Sequence, residues 1–122
     1  MQYDEFIDAV ARRSELPRAT AEELTHAALR VLAERISGGE AEDLRAQLPR
    51  QLQPDLDPPE ENAQSFDADE FARRTAEIAG TDVGDADVAL VALLATLREA
   101  VTPGEFEDVL AQLGTEYAEL VE

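Results

Sequence analysis

Apolar positions recur at helical spacing along the whole chain. Tyr3, Phe6, Ile7 and Val10 fall at i, i+3, i+4 and i+7, which predicts a first helix with one buried face; Phe71, Thr75 and Ile78 carry the same stripe on a later helix. A second helix follows Pro17, a residue suited to a first helical turn. Its buried stripe is Leu24, Ala27, Ala28, Val31, Leu32 and Ile36, with Glu22, Glu23, Arg30 and Glu34 kept for solvent. The later counterpart opens near Asp85 and is apolar around nearly its whole circumference from Val88 to Leu97. A helix without a polar face needs cover on every side, so it is expected at the centre of the domain; an oligomer interface is the other place for it.

The pattern occurs twice because the sequence does. At an offset of 65, Asp4-Glu5-Phe6 falls on Asp69-Glu70-Phe71, and the run from Gly39 to Leu48 falls on the run from Gly104 to Leu113 without a gap. The expected fold is all-α, with two tandem helical repeats packed pseudo-symmetrically into one domain. Residues 1–122 form that single domain, with repeat 1 at 3–52, a Pro-rich acidic linker at 53–66 containing Pro54, Pro58 and Pro59, and repeat 2 at 67–121. Units of this size bury too little surface to be stable alone, so the halves are expected to share a core. Short helices close each half, bearing Leu52 and Leu56 in one and Tyr117, Leu120 and Val121 in the other.

Local signals mark the helix starts. Asp67 reads as an N-cap with Glu70 at N3 completing a capping box and Phe66 stapling onto Phe71, whereas Gln2 stands where Asp67 would be, so the first helix is expected to fray more. Ser37-Gly38-Gly39-Glu40 and Thr102-Pro103-Gly104-Glu105 both read as capping boxes. Gln47 and Gln112, at matching positions before a turn, can each hydrogen-bond a neighbouring helix end or lie on the surface.

Charge changes the picture more than overall composition does. The formal net charge is -18, from 28 Asp and Glu against ten basic residues, every one of them arginine. Only Arg73, Arg74 and Arg98 lie beyond Asp67, so Arg30, Arg35 and Arg45 are expected to pair with the acid-rich second half. Self-repulsion on this scale is relieved when the Debye length drops from about 8 Å at physiological salt to about 3 Å at 1 M, which fits a halophilic cytosol. A GC-rich genome explains part of the arginine preference, and an acidic surface that mimics nucleic acid is a further reading. Nucleic-acid binding itself is not expected, since no basic stripe exists to neutralise phosphates. There is no cysteine, the N-terminus lacks a signal-peptide pattern, and the most apolar stretch is too short to span a bilayer; a cytoplasmic protein that does not enter membranes is expected.

Reactive chemistry is sparse. His26, the single histidine, follows Glu23 at the Glu-x-x-His spacing of di-iron half-sites, but Val88 and Val91 occupy the matching positions of the copy, so a partly exposed helix histidine is expected. The acids Glu40, Glu42 and Asp43, copied as Glu105, Glu107 and Asp108, spread around a helix at i, i+2 and i+3, which suits helix N-termini better than a cation cage. No partnered nucleophile, phosphate loop or zinc spacing is present.

With these motifs in hand, the chain resembles the uncharacterised prokaryotic family known as domain of unknown function 2267. The likeness runs from Tyr3-Asp4-Glu5-Phe6 to Tyr117 and Leu120 and includes both Gly-Glu-x-Glu-Asp-x-x-Ala-Gln-Leu segments. It implies a small all-helical protein of bacteria and archaea without an established activity, and no site residue carries over. The resemblance implies proline after Gln-Leu in both halves, as members usually have, and Gly114 departs from that in the second. The expected function is that of a non-enzymatic interaction or accessory protein, self-associating or binding a protein partner, with no catalytic, cofactor or metal residue assigned. The alternative is a small-molecule or metal-binding enzyme using a cleft between the repeats.

Overall fold

The computed structural model describes residues 1–57 and 62–121, and these form helices and turns without a strand. Helix α1 covers Tyr3–Ser14, α2 Arg18–Arg35 and α3 Gly38–Ala46, followed by a 3-10 segment, η1, at Arg50–Leu56. The second half holds α4 at Ala68–Ala79, α5 at Val83–Ala100, α6 at Pro103–Leu113 and α7 at Thr115–Glu119. The starts of the four matching elements, Tyr3 and Ala68, Arg18 and Val83, Gly38 and Pro103, Arg50 and Thr115, keep the sequence offset. The expected linker is shorter than its sequence span, because Gln53–Leu56 belongs to η1, where Leu52, Asp55 and Leu56 are buried. Pro58 and Pro59 lie outside the described residues.

The two long helices share the centre. Helix α2 packs against α1, α4, η1 and α5, and α5 against α1, α4, α2 and α6, so each short N-terminal helix also covers the long helix of the other half. The predicted stripe of α2 is buried throughout, as are Phe6, Ile7 and Val10 of α1. Each of the larger apolar side chains contributes on the order of 1.5–3 kcal/mol by leaving water. Thr25, Thr75 and Thr96 are buried among them at low cost, because each hydroxyl donates to the carbonyl four residues back at 2.7–2.9 Å.

Two burial expectations are corrected. Helix α5 is not covered on all sides: Val88 and Val91 are 43% and 40% exposed. Segment η1 lies along the matching face of α2, whereas the five-residue α7 does not pack along α5 in the same way. Ile78 is 47% exposed although Phe71 and Thr75 are buried. The alanines Ala72 and Ala76 belong to the buried stripe too, and including them moves its centre roughly a quarter turn away from Ile78.

The halves are pinned together at their helix ends. The Gln112 side chain accepts from the Ser37 backbone N–H at 2.7 Å, and Gln47 accepts from the Thr102 N–H at 2.8 Å. These are the helix-end bonds open to the two glutamines on sequence, and they run reciprocally, each half capping the other. Their presence alters the capping boxes. Ser37 and Thr102 do accept from Glu40 N and Glu105 N, but the returning bond comes from a glutamine, which frees both glutamate side chains. Asp67 likewise accepts from Glu70 N at 2.8 Å, and Phe66 staples onto Phe71 with ring centroids 6.2 Å apart, while the Glu70 carboxylate is taken by Arg73 and Arg74, which hold its pKa down to about 2. Helix α1 has its own closure, since Glu5 accepts from the Gln2 N–H at 3.1 Å.

The arginine expectation is also corrected. Arg30 pairs with Asp55 of its own half at 3.1 Å, and Arg35 donates to the carbonyls of Gln112 and Leu113 at the end of α6 and to Phe66 O. Arg35 therefore neutralises the negative end of a helix rather than a carboxylate. Arg45 has no ion pair among the described residues, and the pair that joins the halves through α1 and α5 is Arg13 with Glu99 at 2.7 Å. Gly114 settles the departure from the family pattern. Its φ of 96° is beyond a proline, and its N–H closes α6 on Leu110 O at 2.8 Å, a bond Pro49 cannot make at the end of the shorter α3.

Candidate functional site

A groove of about 500 Å³ runs along the outer face of α2. Tyr3 comes from α1, Glu22, Glu23, His26 and Arg30 from successive turns of α2, and Ile78 and Ala79 from α4. Segment η1 lies on α2 because Leu52 and Leu56 bury there, and this seats the buried Asp55 beside His26. His26 Nδ1 meets Asp55 Oδ2, His26 Nε2 lies 2.9 Å from Tyr3 Oη, and Tyr3 Oη donates to Glu22 Oε2. Arg30 Nε donates to the other Asp55 oxygen.

The hydrogens in this chain can be placed by elimination. Tyr3 has one hydroxyl proton and gives it to Glu22, so its oxygen must accept from His26 Nε2–H; Asp55 is an acceptor, so it takes Nδ1–H. Both ring nitrogens then carry protons, which is the imidazolium. The His26 pKa accordingly lies above its ordinary value, first through the hydrogen bond to Asp55 and then through the Asp55 and Glu22 charges, against an opposing effect of burial. Burial, followed by Glu22, pushes the Tyr3 hydroxyl up to about 12, so it stays protonated as a donor. With both nitrogens used, His26 has no lone pair for a metal and no vacancy for a substrate proton.

A second polar cluster lies between α3 and α6. One carboxylate oxygen from each of Glu40, Asp43 and Glu105 can be chosen so that all three lie within 4.8 Å of one another. Glu40 and Glu105 are only 8% exposed, and the Oε2 atom of each is buried without a hydrogen-bond partner among the described residues. Burial first, and then Glu40, pushes the Glu105 carboxyl up to about 8, with Asp43 and Asp108 adding to the effect.

Comparison with known proteins gives one positive result. The model of a family described as an uncharacterized conserved protein, DUF2267, matches residues 3–120. The chain belongs to this family. Among curated proteins nothing matches. As a DUF2267 member the chain inherits no named activity, so its two polar clusters are interpreted on their own chemistry.

The residues singled out on sequence are brought together differently from how spacing groups them. His26 is indeed a half-exposed helix residue, with Glu23 lining the same groove, yet its partners are Asp55 and Tyr3. Nothing in local spacing ties residue 26 to residue 55; an isolated aspartate between Leu52 and Leu56, on a segment otherwise ready for burial, is the one available signal. Glu42 and Glu107 face solvent, as the i, i+2, i+3 argument requires. The convergence of Glu40 with Glu105 arises between copies, which spacing within either copy cannot reveal. Within the groove, Ile78 is the apolar element, and the sequence pattern had assigned it to the core.

Proposed function

We propose that this DUF2267 member is a non-enzymatic interaction protein that binds a protein partner, or a second copy of itself, along the α2–α4 groove. The observation that carries this reading is the closed state of His26. A general base or metal ligand needs a free nitrogen, whereas this imidazolium is spent on Asp55 and Tyr3 and serves to hold α1, α2 and η1 in register. The groove around it is open and shallow, with an exposed Ile78 for an apolar anchor and polar groups at its rim, a composition suited to a protein surface. Among the described residues no helix is long and apolar enough to cross a membrane.

Sedimentation and affinity capture at multimolar KCl test the proposal. Ile78→Glu is expected to dissociate the assembly or release a partner that wild type and Glu107→Gln retain. Identical assemblies for all three proteins would sink it, as would turnover of a small molecule that depends on the groove. The proposed origin in a halophilic prokaryote rests on the charge of -18 with arginine as the sole basic side chain. The melting temperature in KCl is expected to climb by many degrees between 0.1 M and 2 M, and a flat response would remove that part.

A further inference from the structure

Like charges rarely share a buried site without something between them. Glu40 and Glu105 present two carboxylates at one place in the α3–α6 contact, each nine-tenths buried and each with an oxygen left without a partner, in a protein already strongly acidic. An unpartnered buried carboxylate oxygen is costly, and a second carboxylate beside it adds repulsion. The usual outlet is closed as well. At the N3 position a glutamate can fold back onto its own N-cap N–H, but Gln112 and Gln47 already occupy those donors, so both side chains are turned toward the cluster.

We infer that Glu40, Asp43 and Glu105 bind a divalent cation of the calcium class, seated between the two halves. The donor set is all carboxylate oxygen, which selects hard ions over zinc or copper. The three oxygens lie within 4.8 Å of one another, close enough for one ion to touch all of them, and calcium accepts such an irregular carboxylate set where magnesium demands near-ideal octahedral geometry and keeps several of its waters. Asp43 stands on the exposed side, leaving room for water to complete the coordination. Helix α3 contributes two ligands and α6 one, so the ion joins elements from different halves and stabilises their contact. This inference is independent of the groove and of any partner bound there.

The test uses the full chain freed of metal by chelation and dialysed into 2 M KCl, so that screening is saturated. CaCl₂, MnCl₂ and MgCl₂ are titrated separately, with calorimetry and melting temperature as readouts. Saturable uptake of one Ca²⁺ or Mn²⁺ is expected, with the melting temperature rising as the ion exceeds its dissociation constant and a weaker response to Mg²⁺. Glu105→Gln is expected to abolish uptake and the thermal response while leaving the metal-free protein folded, because the amide fills the same space and can donate to Glu40. Asp43→Asn, which disturbs packing less, is expected to weaken binding at least tenfold. Glu107→Gln is expected to bind as wild type does. Absence of saturable uptake would overturn the inference and leave a proton shared by Glu40 and Glu105 as the occupant. An equal response in Glu105→Gln and Glu107→Gln would overturn it too, as general screening.

Discussion

The outer faces of α2 and α5 occupy matching positions and are built from opposite chemistry. On α2, His26 sits in a chain of polar groups with Tyr3, Glu22 and Asp55; at the corresponding places of the second half stand Val91, Ala68, Asp87 and Leu120. One face is closed by η1 and wired with protons, and the other is left as bare valine beside a helix too short to reach it. A common helical frame thus tolerates either solution, because the core beneath each face is made by the buried stripe and not by the outer residues. The polar chain around His26 therefore belongs to the first half alone.

The largest way to break this contrast is Asp55→Ala. It strands the His26 imidazolium and leaves Arg30 unpaired, and urea unfolding is expected to show a loss of about 2–3 kcal/mol, below the full cost of breaking a buried pair because Arg30 is 61% exposed. Converting the whole face instead, with Tyr3→Ala, His26→Val and Asp55→Leu, installs the second-half residues together. That triple variant is expected to fall within about 1 kcal/mol of wild type, because the buried carboxylate leaves together with the imidazole it holds, and the remaining Glu22 and Arg30 keep access to water. A large loss there would mean the two faces are not interchangeable.

Next comes acidity. The folded state raises the His26 pKa, so it binds that proton more tightly than the unfolded chain does. The contribution is whole below about pH 6.5 and is lost as pH climbs through the raised value. Urea unfolding of wild type between pH 6 and 9 is expected to show falling stability. Comparison with His26→Val isolates this share, since Glu105, which acts in the same direction, is present in both.

Where the halves agree, the predicted effects are similar. Gln47→Ala and Gln112→Ala each leave one helix-start N–H of the opposite half without its acceptor. Each is expected to cost about 1 kcal/mol, with Gln112→Ala the larger of the two because the Gln112 amide also donates to the Ser37 hydroxyl at 3.1 Å. The smallest effect concerns the turn after the first helix of each half. Glu15 has φ 59° where Gly80 has φ 71°, so Glu15→Gly is expected to raise stability by about 0.5–1 kcal/mol and Gly80→Ala to lower it by about 1 kcal/mol.

Most of the architecture could be read from the residue pattern. The repeated N-cap signals and the buried stripes of α1 and α2 follow from spacing and local stereochemistry, whereas for Gln47 and Gln112 the sequence leaves a helix-end bond and a surface position equally open, and only the packing of the halves decides between them. The errors have one kind of cause. Three residues alone put Ile78 on the buried stripe, whereas the small Ala72 and Ala76 decide where that stripe lies, and the apolar run through Val88 and Val91 calls for cover that a short α7 does not provide. The polar clusters were hidden further, since His26 meets Asp55 and Glu40 meets Glu105 only through tertiary packing.

The crossed glutamine bonds make each half dependent on the other. A protein of one half would present a helix start lacking its acceptor and a glutamine lacking its donor. It would find both on a second molecule of itself, in a two-fold pair whose contacts are the same from either side. Within one polypeptide the same contact needs no encounter between molecules, so the two helix ends hold each other at any dilution.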